Sequence, residues 1–157
     1  MGYCHNIKLQ VIALDIKKVL VAVSGGRADE EAITLACKLA KQSKAQVYAI
    51  YVIEVKRALP LDADLPMEST RGEEVLSHAE TTAAKQDYAL EIELLQARQA
   101  GPAIVDEARE RGIDLIILGM DYKTNFGEFT LGKAAPYVLR NAACRVWICR
   151  EAAQIHV

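Results

Sequence analysis

The sequence has little net charge and no long hydrophobic run. Its 157 residues carry 19 lysines and arginines against 21 aspartates and glutamates, which gives a net charge of −2. Binding to a nucleic-acid backbone depends on a surplus of basic residues, so no nucleic-acid partner is expected. No apolar run reaches the roughly 18 residues of a membrane span, and the first residues lack the basic-then-apolar order of a secretory signal. These absences favour a soluble, cytoplasmic protein that does not insert into a membrane.

Closely spaced metal ligands are also missing. The chain has four cysteines without a CxxC pair, and its three histidines are far apart in sequence. A structural zinc site needs paired ligands at short spacing, so no metal is expected. Cys37, Cys144 and Cys149 fall within apolar periodic segments, where a cysteine is usually a small core residue. Core thiols agree with a reducing compartment.

Short apolar runs alternate with amphipathic stretches from Lys17 onward. The runs that predict strands are 18–23, 46–55, 90–96, 113–119 and 144–149. Their alternation with four helical stretches predicts an α/β fold, with a five-stranded, mainly parallel sheet and helices on both faces, open and doubly wound as in Rossmann-like proteins. In "LEIELLQ", apolar and acidic residues alternate, which favours a strand at a sheet edge.

This periodic part predicts one domain over residues 17–151. Residues 1–16 stand outside the pattern and are either an extra strand or a remnant of a longer chain. Residues 152–157 are expected to form a short tail.

Capping residues predict where the helices begin. Asp29 is the expected N-cap of the first helix, and the capping box Thr70–Glu73 predicts the start of the second. A third helix is expected between Gly101 and Gly112. The fourth is expected to begin near Gly132. Three helices have a predicted buried face: Ile33, Ala36, Cys37 and Ala40 in the first, Val75, Leu76, Ala79 and Ala83 in the second, and Ala134, Ala135, Val138, Leu139 and Ala142 in the fourth.

The stretch "GEFTLGKA" lacks one side chain of a nucleotide-binding P-loop. Ala134 stands where that motif needs a hydroxyl to hold magnesium, and the preceding strand ends at Gly119, well before Gly127. A working P-loop follows its strand directly, so a P-loop NTPase is not expected. "SGGRADE" likewise departs from the SGG-x-D-S loop of nucleotide pyrophosphatases and favours a simple glycine-rich turn.

These loops retain some features of a phosphate-binding site. In parallel sheets ligands bind at the carboxyl ends of strands, where the strand order reverses, and the glycine-bearing strand ends are 24–26 and 119–133. Gly132 and Lys133 precede a helix whose N–H groups and dipole favour an anion, and Lys123 would add charge. Gly119 would permit a close approach. The alternative is that the glycines only form turns and the lysines are solvated.

Four segments carry a resemblance to a known family: "KVLVAVSGG", "VYAIYVIE", "GIDLIILGM" and "LGKAAPYVLRNAACRVWICR". Together they resemble the universal stress protein family, from about Lys18 to Arg150. The family's nucleotide-binding branch has G-x2-G-x9-G followed by Ser or Thr. Gly119 and Gly132 match the first and last glycines, whereas Tyr122 and Lys133 replace the second glycine and the hydroxyl.

The resemblance implies a binding site for an adenine nucleotide, ATP or AMP. Val52 matches the position whose backbone meets adenine, and Ser24 stands where the family usually has an acid near the adenosine. The implied binding residues are Ser24, Val52, Gly119, Lys123, Gly127, Gly132 and Lys133.

The favoured function is a regulatory module that senses an adenine nucleotide without enzymatic turnover. The alternatives are a homodimeric interaction protein that binds no nucleotide, and a regulatory domain associated with a membrane transporter. The resemblance implies that a homodimer would form through the final strand, Arg145 to Arg150. No nucleophile–base pair is evident, and only Asp121 and Glu128 suggest a magnesium site for slow ATP hydrolysis. A role in stress follows from the family name alone.

Overall fold

The computed structural model describes residues 15–122, 124–125, 128–129 and 133–153. The strands are β1 Lys18–Ala22, β2 Gln46–Glu54, β3 Glu91–Ala97, β4 Leu115–Met120, β5 Thr124–Asn125, β6 Glu128–Phe129 and β7 Arg145–Arg150. The helices are α1 Ala28–Ser43, α2 Pro66–Ala84, α3 Ala100–Arg111 and α4 Ala134–Asn141. No helix in these described ranges is long and apolar enough to cross a membrane.

Five strands form one parallel sheet in the order β3-β2-β1-β4-β7. This arrangement confirms the predicted α/β fold. The chain moves from β1 outward through β2 to β3, then returns to the other side of β1 for β4 and β7. The order therefore reverses between β1 and β4, and a crevice opens beyond the carboxyl ends of these strands. β3 lies at one edge of the sheet, as "LEIELLQ" predicts, and β7 lies at the other.

Helices cover both faces of the sheet, and each face has its own apolar core. Val19 and Val21 of β1 face α1 and α2, whereas Leu20 faces α3 and α4. Because β1 is buried on both faces, its sequence is continuously apolar rather than alternating. The predicted face of α1 is confirmed, since all four of its residues are buried: Ile33, Ala36, Cys37 and Ala40.

The predicted starts of the first two helices are wrong. α1 begins at Ala28 with Arg27 at the N-cap, and the Asp29 side chain reaches back to the preceding turn instead of capping the helix. α2 begins at Pro66, a turn before the predicted capping box. Proline fits a first helical turn because its missing N–H would have no partner there, so Pro66 starts the helix earlier.

The fourth helix and the loop before it also differ from the prediction. α4 begins at Ala134, and Gly132 lies outside the described residues. Ala135 and Val138 are buried, but Leu139 is 48% exposed and was wrongly assigned to the buried face. β5 and β6 pair as an antiparallel ribbon that was not predicted, because strands of two residues have no readable periodicity.

The three cysteines in the described part of the chain are free thiols packed against the cores. Cys37 is fully buried, as expected, and burial raises the pKa of its thiol to about 11. Cys144 and Cys149 are half-buried, and burial raises the pKa of each thiol. Raised pKa values suppress the thiolate, which is the reactive form. Of the expected extra strand or remnant at residues 1–16, residues 1–14 lie outside the described residues, as does the end of the tail, 154–157.

Candidate functional site

A cavity of about 470 Å³ lies at the carboxyl ends of β1, β2 and β4, at the point where the strand order reverses. The first turns of α3 and α4 complete its wall. Its lining residues are Ala22, Val23, Ser24, Ile50, Tyr51, Val52, Glu54, Ala100, Ile104, Leu118, Gly119, Met120, Asp121, Lys133, Ala134 and Ala135. This is the position at which open parallel sheets hold their ligands.

The cavity brings together four of the seven predicted site residues. Ser24 follows β1, Val52 lies in β2, Gly119 lies in β4, and Lys133 is the N-cap residue of α4. The other three predicted residues lie outside the described residues: Lys123, Gly127 and Gly132.

The backbone of Val52 faces the cavity because β1 ends before β2 does. The Val23 N–H donates to the Ile50 carbonyl at 2.9 Å, so the polar groups of Ile50 point toward β1. The backbone N–H and C=O groups of a strand point to alternate sides from one residue to the next. The groups of Val52, two residues after Ile50, therefore also point toward β1. The Val55 N–H points the other way, toward β3, and donates to the Ala97 carbonyl at 2.8 Å. Pairing of β1 with β2 stops at Ala22 and Ile50. Val52 therefore presents one donor and one acceptor to the cavity.

Buried apolar side chains form much of the remaining wall. Ile50 from β2, Leu118 from β4 and Ile104 from α3 are all at least nine-tenths buried and all line the cavity. An apolar wall beside a few fixed polar groups is typical of small-molecule sites. Such a wall suits a flat ring whose edge reaches the polar groups of Val52.

Gly119 makes a close approach, but to the protein's own backbone. A Cβ built at Gly119 would lie 2.9 Å from the Ala28 carbonyl oxygen and 3.2 Å from the Asp29 nitrogen. The predicted reason for this glycine was therefore incomplete. Gly119 lines the cavity, and its missing side chain is what lets the start of α1 pack against the end of β4.

Two aspartates hold the turn between β1 and α1. Asp29 Oδ2 accepts hydrogen bonds from the N–H groups of Ser24 at 3.1 Å and Gly25 at 2.7 Å. Gly25 has a φ of 91°, a left-handed conformation that favours glycine. Burial raises the pKa of the Asp29 carboxyl, against the opposing effect of the Gly25 and Ser24 N–H groups. The turn that carries Ser24 is thus fixed by a side chain on the following helix.

Asp121 connects the end of β4 to the start of α1. Its Oδ1 accepts a hydrogen bond from the Ala28 N–H at 2.9 Å. The sequence suggested Asp121 only as a magnesium ligand, and its role at α1 could not be read from a residue so distant in sequence. No group of three metal-ligating side chains occurs among the described residues, and the side chain of Glu128 is not described.

Tyr122, which replaces the second glycine of the family pattern, contacts residues at the end of β7. Its N–H donates to Glu151 Oε1 at 2.9 Å, and the Arg150 guanidinium lies 4.8 Å from the centre of its ring. Glu151 also pairs with Arg27 at 2.9 Å. Tyr122 does not belong to the described lining of the cavity, so its bulk is directed to this outer contact.

A second, smaller cavity of about 180 Å³ lies between α1 and α2. His78 lines it together with Asp29, Glu30 and Glu74, and Thr82 donates its hydroxyl to the His78 carbonyl at 3.0 Å. None of the predicted site residues lies in this cavity.

Comparisons with known proteins agree with the fold. A model of the universal stress protein family matches residues 15–150. A universal stress protein of Methanocaldococcus jannaschii is 30% identical over 141 residues, which cover 86% of this chain and 82% of that protein.

Solved structures show the same architecture. A universal stress protein from Archaeoglobus fulgidus has a TM-score of 0.72 at 22% identity, over 84% of this chain and 97% of that chain. The universal stress protein from Archaeoglobus fulgidus in complex with dAMP has a TM-score of 0.69 at 21% identity, over 86% of this chain and 98% of that chain. The match to the family model spans most of the sequence and confirms the resemblance: the chain belongs to the universal stress protein family.

Proposed function

We propose that this protein is a regulatory module that binds an adenine nucleotide in the cavity at the ends of β1, β2 and β4. The observation that carries the proposal is the unpaired edge of β2, where Val52 presents its N–H and carbonyl beside an apolar wall. The solved relative from Archaeoglobus fulgidus that holds dAMP supports the same ligand class.

Each part of a nucleotide has a matching group in this cavity. Adenine offers an acceptor, N1, next to a donor, the N6 amino group, and these complement the N–H and carbonyl of Val52. Ile104 and Leu118 pack on the ring. The Ser24 hydroxyl bonds the ribose, and the Lys133 ammonium attracts a phosphate at the start of α4.

Binding without turnover is part of the proposal. The Asp121 carboxylate is bonded to the Ala28 N–H, so one of its oxygens is already engaged at the start of α1. No cluster of metal-ligating groups accompanies it among the described residues. The nucleotide then acts as a signal, and its effect on the protein is a shift in stability or in partner binding.

A comparison of AMP with IMP tests this proposal. The two nucleotides differ at both atoms that would face Val52: hypoxanthine has an oxygen in place of the N6 amino donor and N1–H in place of the N1 acceptor. Each buried group left without its hydrogen bond costs about 1–3 kcal/mol, so calorimetry is expected to find AMP tighter by about ten-fold or more. Equal affinity for the two would contradict the role of Val52, and no binding of either would contradict the proposed function.

A homodimer through β7 is a second part of the proposal. β7 pairs only with β4 within the described chain, and its central side chains are half-buried, with Arg145 and Arg150 exposed at the ends. The Glu151 N–H donates to Met120 at 2.9 Å, so by alternation the Ile148 N–H points outward and the Cys149 N–H points toward β4. An apolar edge strand with outward N–H groups favours pairing with a second copy.

Proline substitutions on this strand test the dimer. Ile148→Pro removes an outward N–H, whereas Cys149→Pro removes one that points toward β4. Sedimentation velocity is expected to show a dimer for the wild type and a folded monomer for Ile148→Pro, while Cys149→Pro loses stability. A wild type that stays monomeric at all concentrations up to about 100 μM would contradict the dimer. An Ile148→Pro variant that stays folded and dimeric would also contradict it.

A further inference from the structure

We propose that the Asp121 carboxylate makes the cavity prefer an adenine nucleotide with few phosphates over one with many. The inference rests on the proposed function, because it specifies which nucleotide the same cavity takes. Asp121 follows β4 directly, lines the cavity and is half-buried. A negative charge in this position acts against a ligand whose own charge grows with each phosphate.

The carboxylate of Asp121 has little freedom to move away. Its Oδ1 accepts a hydrogen bond from the Ala28 N–H at 2.9 Å. On its other side, a Cβ built at Gly26 would lie 2.5 Å from Oδ2, so the carboxylate packs closely against the turn before α1. Rotation out of the cavity wall would break the bond to Ala28 and leave that N–H without its acceptor.

Asp121 also occupies the position that a helix start offers to an anion. The first N–H groups of a helix and its dipole attract negative charge, and phosphates bind at such places. At α1 this attraction is already satisfied by a side chain of the protein. α1 therefore adds little attraction for a ligand phosphate, whereas the start of α4 carries a cation, Lys133, at its N-cap.

The charges of the described lining residues also favour a nucleotide with few phosphates. They comprise two carboxylates, Glu54 and Asp121, and one ammonium, Lys133. One lysine offsets only part of the charge of a single phosphate group, which is about −1.5 to −2 near neutral pH. A second and third phosphate would extend along a partly desolvated wall that carries a fixed carboxylate, where repulsion between like charges is stronger than in water.

Calorimetry with AMP, ADP and ATP in magnesium-free buffer tests the inference. The wild type is expected to bind AMP most tightly and ATP about ten-fold or more weaker. In Asp121→Asn the amide oxygen still accepts from the Ala28 N–H, but the charge is gone. The ATP-to-AMP ratio of Kd values is then expected to fall to about three-fold or less, because ATP gains more than AMP does.

A matched variant controls for net charge alone. Glu110 is an exposed residue of α3 that lines no described cavity, so Glu110→Gln removes the same charge from elsewhere and is expected to leave the ratio unchanged. Salt gives a readout that needs no variant, because screening weakens the repulsion and the wild-type ratio is expected to shrink as ionic strength rises.

The outcomes separate the two proposals. If the wild type binds AMP but binds ATP equally well or better, the role of Asp121 is overturned and the proposed function stands. The same holds if the ratio is unchanged in a folded Asp121→Asn variant or unaffected by salt. If none of the three nucleotides binds, the proposed function itself is overturned.

Discussion

The Val23 N–H donates to the Ile50 carbonyl at 2.9 Å, and beyond this hydrogen bond β1 and β2 separate. The separation leaves Val52 with backbone groups directed at a cavity rather than at a neighbouring strand. Strands that end at different points along a sheet create binding groups without any special side chain. Val52 itself is an ordinary strand residue, and its neighbours determine its role.

Lys133→Met is expected to weaken AMP binding while leaving adenosine binding nearly unchanged. Lys133 is the only cation among the described lining residues, so its loss affects the phosphate and not the base. The AMP-to-adenosine preference is expected to fall by about five-fold, as for loss of one charge contact of about 1 kcal/mol. Lys38→Met, an exposed position on α1, is the matched control. An equal loss for AMP and adenosine would place Lys133 elsewhere than at the phosphate.

Gly119→Ala is expected to lower stability. The added methyl would lie 2.9 Å from the Ala28 carbonyl oxygen, so α1 or β4 must shift. Such overpacking costs about 1–3 kcal/mol, and each kcal/mol corresponds to a fall in Tm of about 2–4 °C for a domain of this size. A thermal scan monitored by circular dichroism measures the change.

The same variant separates two explanations for Gly119. If the glycine only made room for a ligand, Gly119→Ala would weaken binding and leave the Tm of the free protein unchanged. Gly112→Asn serves as the control, because asparagine tolerates the left-handed φ of 65° at that helix end and nothing lies within 4 Å of an added Cβ. Its Tm is expected to fall less than that of Gly119→Ala.

Asp29 is expected to make stability fall as pH rises. Burial raises the pKa of its carboxyl in the folded state above the ordinary value of 3.8, so the folded state binds more protons than the unfolded state between the two pKa values. The free energy of unfolding then decreases with rising pH from about 3.8 up to the folded-state pKa. Asp29→Asn keeps an oxygen acceptor for the Ser24 and Gly25 N–H groups but does not titrate.

Urea unfolding of both proteins across this pH range checks the sign. The wild type is expected to lose stability relative to Asp29→Asn as the pH rises from 3.8. A wild type that gains stability relative to the variant over the same range would show that the hydrogen bonds from Ser24 and Gly25 outweigh the burial of the charge.

Cys37 is expected to resist alkylation in the folded protein. It is fully buried and the pKa of its thiol is about 11, so little thiolate forms near pH 8 and reagents cannot reach it. Peptide mapping by mass spectrometry after iodoacetamide treatment is expected to find Cys37 unmodified in buffer and modified in urea. Rapid modification in buffer would show that the core beneath α1 opens readily.

The sequence predicts the sheet better than it predicts the helix starts. Buried parallel strands need continuous apolar runs, and this requirement does not depend on how individual side chains pack. The sequence therefore predicts all five strands of the sheet. Helix starts depend on which polar group reaches the free N–H groups. At α1 this group is Asp121, far away in sequence, while Asp29 serves the preceding turn. Local capping rules consider only residues close in sequence, so they predict Asp29 as the cap of α1, which is wrong.

The sequence predicted where the cavity lies but not all of its lining residues. Strand ends and glycines indicated Ser24, Gly119 and Lys133, because ligands of parallel sheets lie where strands end, whereas Val52 was indicated only by the family resemblance. The apolar wall from α3, with Ile104, was not anticipated, since a helix face shows which residues are buried but not which cavity they border. The neighbour of Gly119 was also missed, because close approach between two backbones leaves no trace in local sequence.

The most direct test of the account is the NMR signal of the Val52 amide during titration with AMP. With the valines labelled with ¹⁵N, the Val52 resonance is expected to move downfield and saturate as its N–H bonds to the base, while Val146 on β7 stays unchanged. A saturating shift at Val52 would support an adenine nucleotide bound at the open edge of β2. If millimolar AMP leaves the Val52 resonance in place, the nucleotide does not bind there, and the account of this cavity is contradicted.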